Sequence, residues 1–257
     1  MSEFHQSNRT LSENYRSKLQ ASLDDLISLE NFPDPEKSNP QKFYLEFKNR
    51  ITPLVNAEIQ RLKDSLSHTD NCHLLLLNHS ALVDTTLQTS FRVAVWLYNQ
   101  THQKKLKPED TPIAVIARGG YGREEVYFRS DVDIQVVTKS DPTNEEAEDT
   151  EQIVKHLEYL FIHQNIFQTS ASSCYAEIDT IGKDLNTEKL PDFFSLLENR
   201  LVAGSDTIYA EFKSIVKTAA LLHRESLLKH CYQRKNCYDV RNTVFQQEPN
   251  VKEELRR

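Results

Sequence analysis

A chain of 257 residues, 38% hydrophobic and 27% charged, is long enough to bury one large core or two small ones and has the composition of a folded protein. Its net charge of −7, with no basic stripe, argues against a nucleic-acid partner, which lysines and arginines would have to neutralise. No apolar run approaches the roughly 20 residues that span a bilayer and the polar N-terminus has no signal-peptide pattern. Cys72, Cys174, Cys231 and Cys237 show no CxxC pairing and no histidine partner at zinc spacing, so the expectation is a cytoplasmic protein with free thiols and no membrane contact.

The first thirty residues read as a polar start running into a helix, with Leu19, Leu23, Leu26, Ile27 and Leu29 at mostly helical spacing. Pro33, Pro35 and Pro40 mark a linker, since that density of proline cannot stay helical. Helical periodicity returns from Pro40 to about Leu66 (Phe43, Phe47, Ile51, Leu54, Val55). It returns again from about Asn71 to Gln103, with Leu74, Leu77, Leu82, Leu87, Phe91, Val95 and Trp96 inward. The basic, polar stretch Lys104–Thr111 closes a helical region assigned to residues 1–105.

A different pattern follows. The apolar run Ile113–Ala117 predicts a buried strand over 112–118, leading into Gly119-Gly120-Tyr121-Gly122-Arg123. Three glycines in four residues free the backbone to turn its N–H groups toward an anion. Ser130-Asp131-Val132-Asp133 opens a second strand, predicted over 132–138. Alternation sends both carboxylates to one side and Val132, Ile134 and Val136 to the core. Adjacent carboxylates repel unless a cation lies between them, and hard oxygen ligands favour Mg²⁺, or Mn²⁺.

After an acidic loop, a helix is predicted with Asn144 as N-cap, Glu145 and Glu146 in its first turn, and Ile153, Leu157, Leu160 and Phe161 on its apolar side. Residues 165–175 predict a third strand, and from Leu190 onward the chain reads as helix in pieces. The fold class is therefore α+β, a small mixed sheet flanked by helical regions.

Gly119-Gly120-Tyr121-Gly122-Arg123-Glu124-Glu125 with Ser130-Asp131-Val132-Asp133 resembles the signature of the PII-protein uridylyltransferases, in the DNA polymerase β-like nucleotidyltransferase superfamily. Three further segments are similar to that family in the same order: His79–Asp84, Leu196–Gly204 and Glu248–Glu253. The resemblance implies a polymerase β-like nucleotidyltransferase domain over 106–205 and a helical region over 206–257, truncated relative to the family. It implies transfer of UMP from UTP to a tyrosine of a PII-like signalling protein. The family's hydrolase and sensor domains have no counterpart in these residues.

In nucleotidyl transfer a hydroxyl attacks the α-phosphorus of a nucleoside triphosphate and pyrophosphate leaves, with two metal ions stabilising the attacking and departing oxygens. Asp131 and Asp133 are the expected catalytic metal ligands. Gly119, Gly120, Gly122 and Arg123 would hold the β- and γ-phosphates, and Ser130 would bond a phosphate oxygen or fix the loop. The resemblance puts Glu198 nearest the third carboxylate, with Arg200 free to pair with it or with the nucleotide.

Plainer readings stand beside these. An Asp-x-Asp at a strand start can be a cap, Glu198 and Arg200 a solvated pair, Tyr121 a packing residue, and His156 and His163 ordinary surface or core histidines. Glu145 to Glu151 can be a solvated helix face. Glu124 stands where the family carries a small residue. The segment Phe167–Ser172 lacks the family's basic residue, which leaves open a catalytically silent scaffold that binds a partner. A protein adenylyltransferase is the other enzymatic alternative.

Overall fold

Three long helices precede the sheet: α1 (Glu3–Leu26), α2 (Pro40–Leu66) and α3 (Cys72–His102). The computed structural model describes residues 3–28, 32, 40–66, 68, 71–138, 143–169, 175–177, 181 and 189–237. The helical stripes read from the sequence are the buried ones: Leu19, Leu23 and Ile27 near the end of the first helix, Phe43, Phe47, Ile51 and Val55 in the second. Leu29 and the Glu248–Glu253 segment lie outside the described residues.

Helix α3 is the central pillar. It starts at Asn71, whose side chain accepts from Leu74 N at 3.1 Å, and ends at Gln103 in a left-handed conformation. From Leu75 to Tyr98 it is buried around most of its circumference, as a helix enclosed by its neighbours must be. Its buried hydroxyls on Thr85, Thr86 and Ser90 donate back to carbonyls four residues earlier, so small polar residues sit in the core at little cost.

The sheet has the order β3-β2-β1-β4. β1 (Ile113–Arg118) is central, pairing antiparallel with β2 (Ile134–Thr138) and with β4 (Asn199–Gly204). The short β3 (Tyr175–Glu177) adds a parallel edge to β2. One face, through Ile113, Val115, Ala117, Ile134 and Val136, joins a single core with the three N-terminal helices and α5 (Asn144–Leu157). The other face, through Ala114, Ile116 and Val137, packs on α6 (Leu190–Leu197) and α7 (Asp206–Leu222). Both faces are covered, which explains why the two central strands are buried at every position. Helix α8 (Arg224–Cys237) follows. Among the described residues no helix is long and apolar enough to cross a membrane.

Four boundaries differ from the sequence reading. Asp131 and Asp133 precede β2 instead of lying inside it, although Val132 makes an isolated parallel bridge with Thr169. Helix α5 is capped by Thr143, not Asn144: Thr143 Oγ1 accepts from Glu146 N at 3.2 Å, and the Glu146 carboxylate accepts from Thr143 N at 2.9 Å. Of the segment expected as a third strand, residues 165–175, Thr169 makes the isolated bridge to Val132 and Tyr175 opens β3, with residues 170–174 outside the described residues; a π-helical turn (Glu158–Ile162) comes before it. Residues 199–204, expected as helix, form β4, because the free edge of β1 supplies a hydrogen-bonding partner that outweighs the local helical pattern.

Candidate functional site

The glycine turn begins where β1 ends. Gly119, at φ +59°, opens a single helical turn, α4 (Gly119–Gly122), closed by Arg123 N on Gly119 O at 3.1 Å and Glu125 N on Gly120 O at 2.8 Å. Gly122 is fixed by close approach: a Cβ there would lie 2.0 Å from the Glu198 carbonyl oxygen. Glu124 takes a left-handed conformation, φ +62°, which a non-glycine residue adopts at some cost.

The two aspartates come to the same end of the sheet. Arg118 N donates to Asp133 O at 3.1 Å, pairing the end of β1 with the lead-in to β2. Val132, 1% exposed, points into the large core and is tied by its N–H to Gln168 O at 2.7 Å. Asp131 and Asp133 therefore share the opposite side, the first exposed and the second half-buried. One Asp133 carboxylate oxygen lies 3.7 Å from where a Cβ on Gly119 would stand. Ser130, half-buried, closes the preceding turn with its N–H on Tyr127 O at 2.9 Å.

Arg123 is held by two carboxylates. Its Nε donates to Glu125 at 2.7 Å and Nη1 donates to Glu198. The hydrogen bond to Glu125 is the main cause of its raised pKa, with Glu198 adding to it. Glu198 sits at the C-terminal end of α6 with its backbone against Gly122, so the fold brings it to the turn from far along the chain. Its carboxylate meets Arg123 there. Among the described residues no group of three or more His, Cys, Asp or Glu is close enough to hold a metal ion.

Arg200 faces away from Glu198. Its guanidinium grips Asp84 with two bonds, 2.8 and 2.7 Å, and lies over the Tyr121 ring at 4.9 Å. Asp84, fully buried on α3, also accepts from Tyr121 Oη at 2.6 Å and from Arg16 of α1 at 2.6 Å. Burial alone would lower the pKa of Arg200, but the charge of Asp84 overrides it and the net shift is upward. Burial, then the charge of Asp84, drives the Tyr121 phenol well above its ordinary value. Tyr121 is thus both a packing residue and a hydrogen-bond donor.

A second brace holds the stretch before Ser130. His79 Nδ1 is 3.0 Å from Val126 O, so that nitrogen carries the proton, and the ring meets Phe128 edge-on. Burial lowers the His79 pKa and keeps it a neutral donor. Asp84 and His79 were not singled out from the sequence as site-forming side chains. The available signal was a carboxylate on the apolar stripe Ala81-Leu82-Val83-Asp84, which a buried helix accepts only with partners. Of the other histidines, His163 is exposed, and His156 bonds Tyr44 Oη at 2.7 Å with burial pushing its pKa down to about 4.

No family model matches the chain. It is 25% identical over 227 residues to the bifunctional uridylyltransferase/uridylyl-removing enzyme of Pseudomonas savastanoi pv. phaseolicola, an alignment covering 85% of this chain and 23% of that protein. It is 28% identical over 182 residues to the enzyme of the same name from Nitrosospira multiformis, covering 70% of this chain and 18% of that protein. The chain spans less than a quarter of the length of these curated relatives. The glycine turn, the aspartate pair and the buried clasp beneath them belong to a chain distantly related to one region of the bifunctional uridylyltransferase/uridylyl-removing enzymes.

Proposed function

We propose that the chain is a Mg²⁺- or Mn²⁺-dependent nucleotidyltransferase of the polymerase β-like type, moving UMP from UTP to a tyrosine hydroxyl of a PII-like signalling protein. The observation that carries this reading is the convergence of the Asp131/Asp133 face on the glycine turn. The name of its distant relatives, uridylyltransferase/uridylyl-removing enzymes, supports the choice of nucleotide, and the acceptor is what the resemblance of the glycine turn and aspartate pair implies. In this reading residues 106–205 form the transferase unit, 1–105 the helical support and 206–257 a C-terminal helical region.

Two aspartates on one face, one exposed and one half-buried, suit Mg²⁺, which binds through one or two carboxylates and takes waters and substrate phosphates for the rest. When bound, the ion supplies charge neutralisation at the reacting phosphate. The chain's own residues do the positioning. The glycine turn lets the triphosphate approach main-chain N–H groups, and Arg123 exchanges Glu125 and Glu198 for phosphate oxygens. That exchange costs little, because both carboxylates are about half exposed and exposed pairs contribute little. As the acceptor hydroxyl bonds the α-phosphorus and loses its proton, the bond to the departing pyrophosphate breaks.

The test is incubation with each labelled nucleoside triphosphate, Mg²⁺ and a PII-like acceptor, followed by intact-mass measurement. A gain of one UMP is expected. Asp131→Asn and Asp133→Asn should each cut the rate by about 100-fold or more with melting temperature unchanged. Near-normal transfer in either variant, or no gain with any nucleotide in the wild type, would reject the reading. A gain of AMP would assign adenylyl transfer instead. A second reading, a silent scaffold that binds a partner, draws on the engagement of Glu198 by Arg123 and on Glu124 beside the turn. It is favoured if the acceptor is captured but never modified.

A further inference from the structure

Among the described residues, one cationic side chain in the site has no counterion. Arg118, the last residue of β1, is 7% exposed, and its Nε is buried without a hydrogen-bond partner. No carboxylate forms an ion pair with its guanidinium among the described residues. A guanidinium keeps its charge across the pH range in which proteins fold, so burying one unpaired carries a large penalty unless an anion arrives to offset it.

The surroundings narrow what that anion is. Strand alternation sets Arg118 on the face of Ala114 and Ile116, toward α6 and α7, beside its cross-strand neighbour Asp133. On its other side, Asn199 is already used: its amide donates to Leu196 O at 2.6 Å and its Oδ1 takes the Tyr209 hydroxyl at 3.0 Å. Gln135, farther along the same face, turns its amide to the neighbouring Val136 O at 3.4 Å. Directly after Arg118 comes Gly119, whose missing side chain would point at Asp133 and at Ser195 Cβ, 3.6 Å away. The unpaired charge thus lies at the foot of the glycine turn, on the side where the aspartates stand.

We propose that Arg118 is a polyphosphate-binding residue: its guanidinium takes oxygens of the nucleotide's phosphate chain and is the buried anchor of the donor, whereas Arg123 at the exposed rim is exchangeable. The naming of a polyphosphate rests on the transferase reading above. The presence of an anion site rests on the burial and unpaired state of Arg118 alone.

The experiment compares wild type, Arg118→Met and Arg118→Lys. Each is melted with and without inorganic tripolyphosphate, titrated with UTP, and assayed for UMP transfer. Met keeps the volume of the stem and removes the charge, so ligand-free Arg118→Met should melt at or above the wild-type temperature. Tripolyphosphate should raise the melting temperature of the wild type and barely move that of the Met variant. UTP affinity should fall roughly tenfold to a hundredfold, the range for hydrogen bonds to charged groups, with KM rising more than kcat falls and Lys giving partial rescue. A Met variant that melts lower than wild type yet binds tripolyphosphate and UTP as tightly would overturn the proposal, since Arg118 would then be structural. If transfer proceeds normally in that variant, the anchor falls and the transferase reading stands. If the wild type binds tripolyphosphate through Arg118 but modifies no acceptor, the anchor stands and the transferase reading falls.

Discussion

Two arginine–carboxylate clusters lie on opposite sides of the same glycine turn and differ in almost every physical respect. Below it, Arg200 and Arg16 converge on Asp84, which has no exposed side-chain surface. Above it, Arg123 meets Glu125 and Glu198 with all three side chains more than two-fifths exposed. The lower cluster joins α1, α3, the turn and β4, and each of its charges depends on the others. The upper one is open to water, where ion pairs contribute between nothing and about 1 kcal/mol. The same residue chemistry therefore serves as a fastener in one place and as an exchangeable contact in the other.

The most severe way to break that contrast is Asp84→Asn. It leaves two partly exposed guanidinium groups facing a buried amide, and the expected loss is about 3–5 kcal/mol of unfolding free energy, read from urea melts. A loss under about 1 kcal/mol would put both clusters on the same footing. Acid probes the buried side by another route. Burial lowers the pKa of His79 and pushes that of His156 down to about 4, so the unfolded chain binds these protons first. Stability should be fully present above about pH 6.5 and fall as the pH drops toward 4, with His156 contributing roughly up to 3 kcal/mol. The urea midpoint between pH 7 and pH 4.5 measures this, and His156→Gln should flatten the slope; an unchanged slope would discard the assignment.

A finer cut is Tyr121→Phe, which keeps the ring and deletes only the donor to Asp84. A cost of roughly 1.5–3 kcal/mol is expected, smaller than for Asp84 itself. An equal cost would mean that the hydroxyl, not the arginines, organises the cluster. The smallest effect belongs to the rim. Glu198→Gln should change stability by less than about 1 kcal/mol, and a calorimetric melt suffices to detect anything larger.

The sequence made the helical stripes of α1 to α3 and the two central strands legible, because burial on a regular element imposes a period on the apolar residues. The approach of the Asp131/Asp133 side to the glycine turn was legible for the same reason, even though both residues fall just outside β2. β4 was not. Leu196-Leu197-Glu198-Asn199-Arg200-Leu201-Val202 carries good helix formers, and only the open edge of a strand some eighty residues earlier decides otherwise. Thr143 was missed although Thr143-x-x-Glu146 is a capping-box pattern; the neighbouring Asn144 drew the assignment one residue late. Asp84, the partner of Arg200, and Arg118 as an unpaired charge depend on which chains meet in space, which spacing along one chain does not encode.

The clasp at Asp84 also bears on how the turn could be borrowed. Gly-Gly-Tyr-Gly-Arg looks like a portable cassette, short enough to graft onto any strand end. Here its tyrosine is seated on a helix that comes before the sheet, under an arginine that comes long after it, with a second helix reaching in from the start of the chain. A transplant that copies the five letters but not Arg16, Asp84 and Arg200 would carry a buried phenol with nothing to bond. Pattern searches keyed to the turn will accordingly be more discriminating when they also require a lone acid on an apolar helix upstream and an arginine in a late strand.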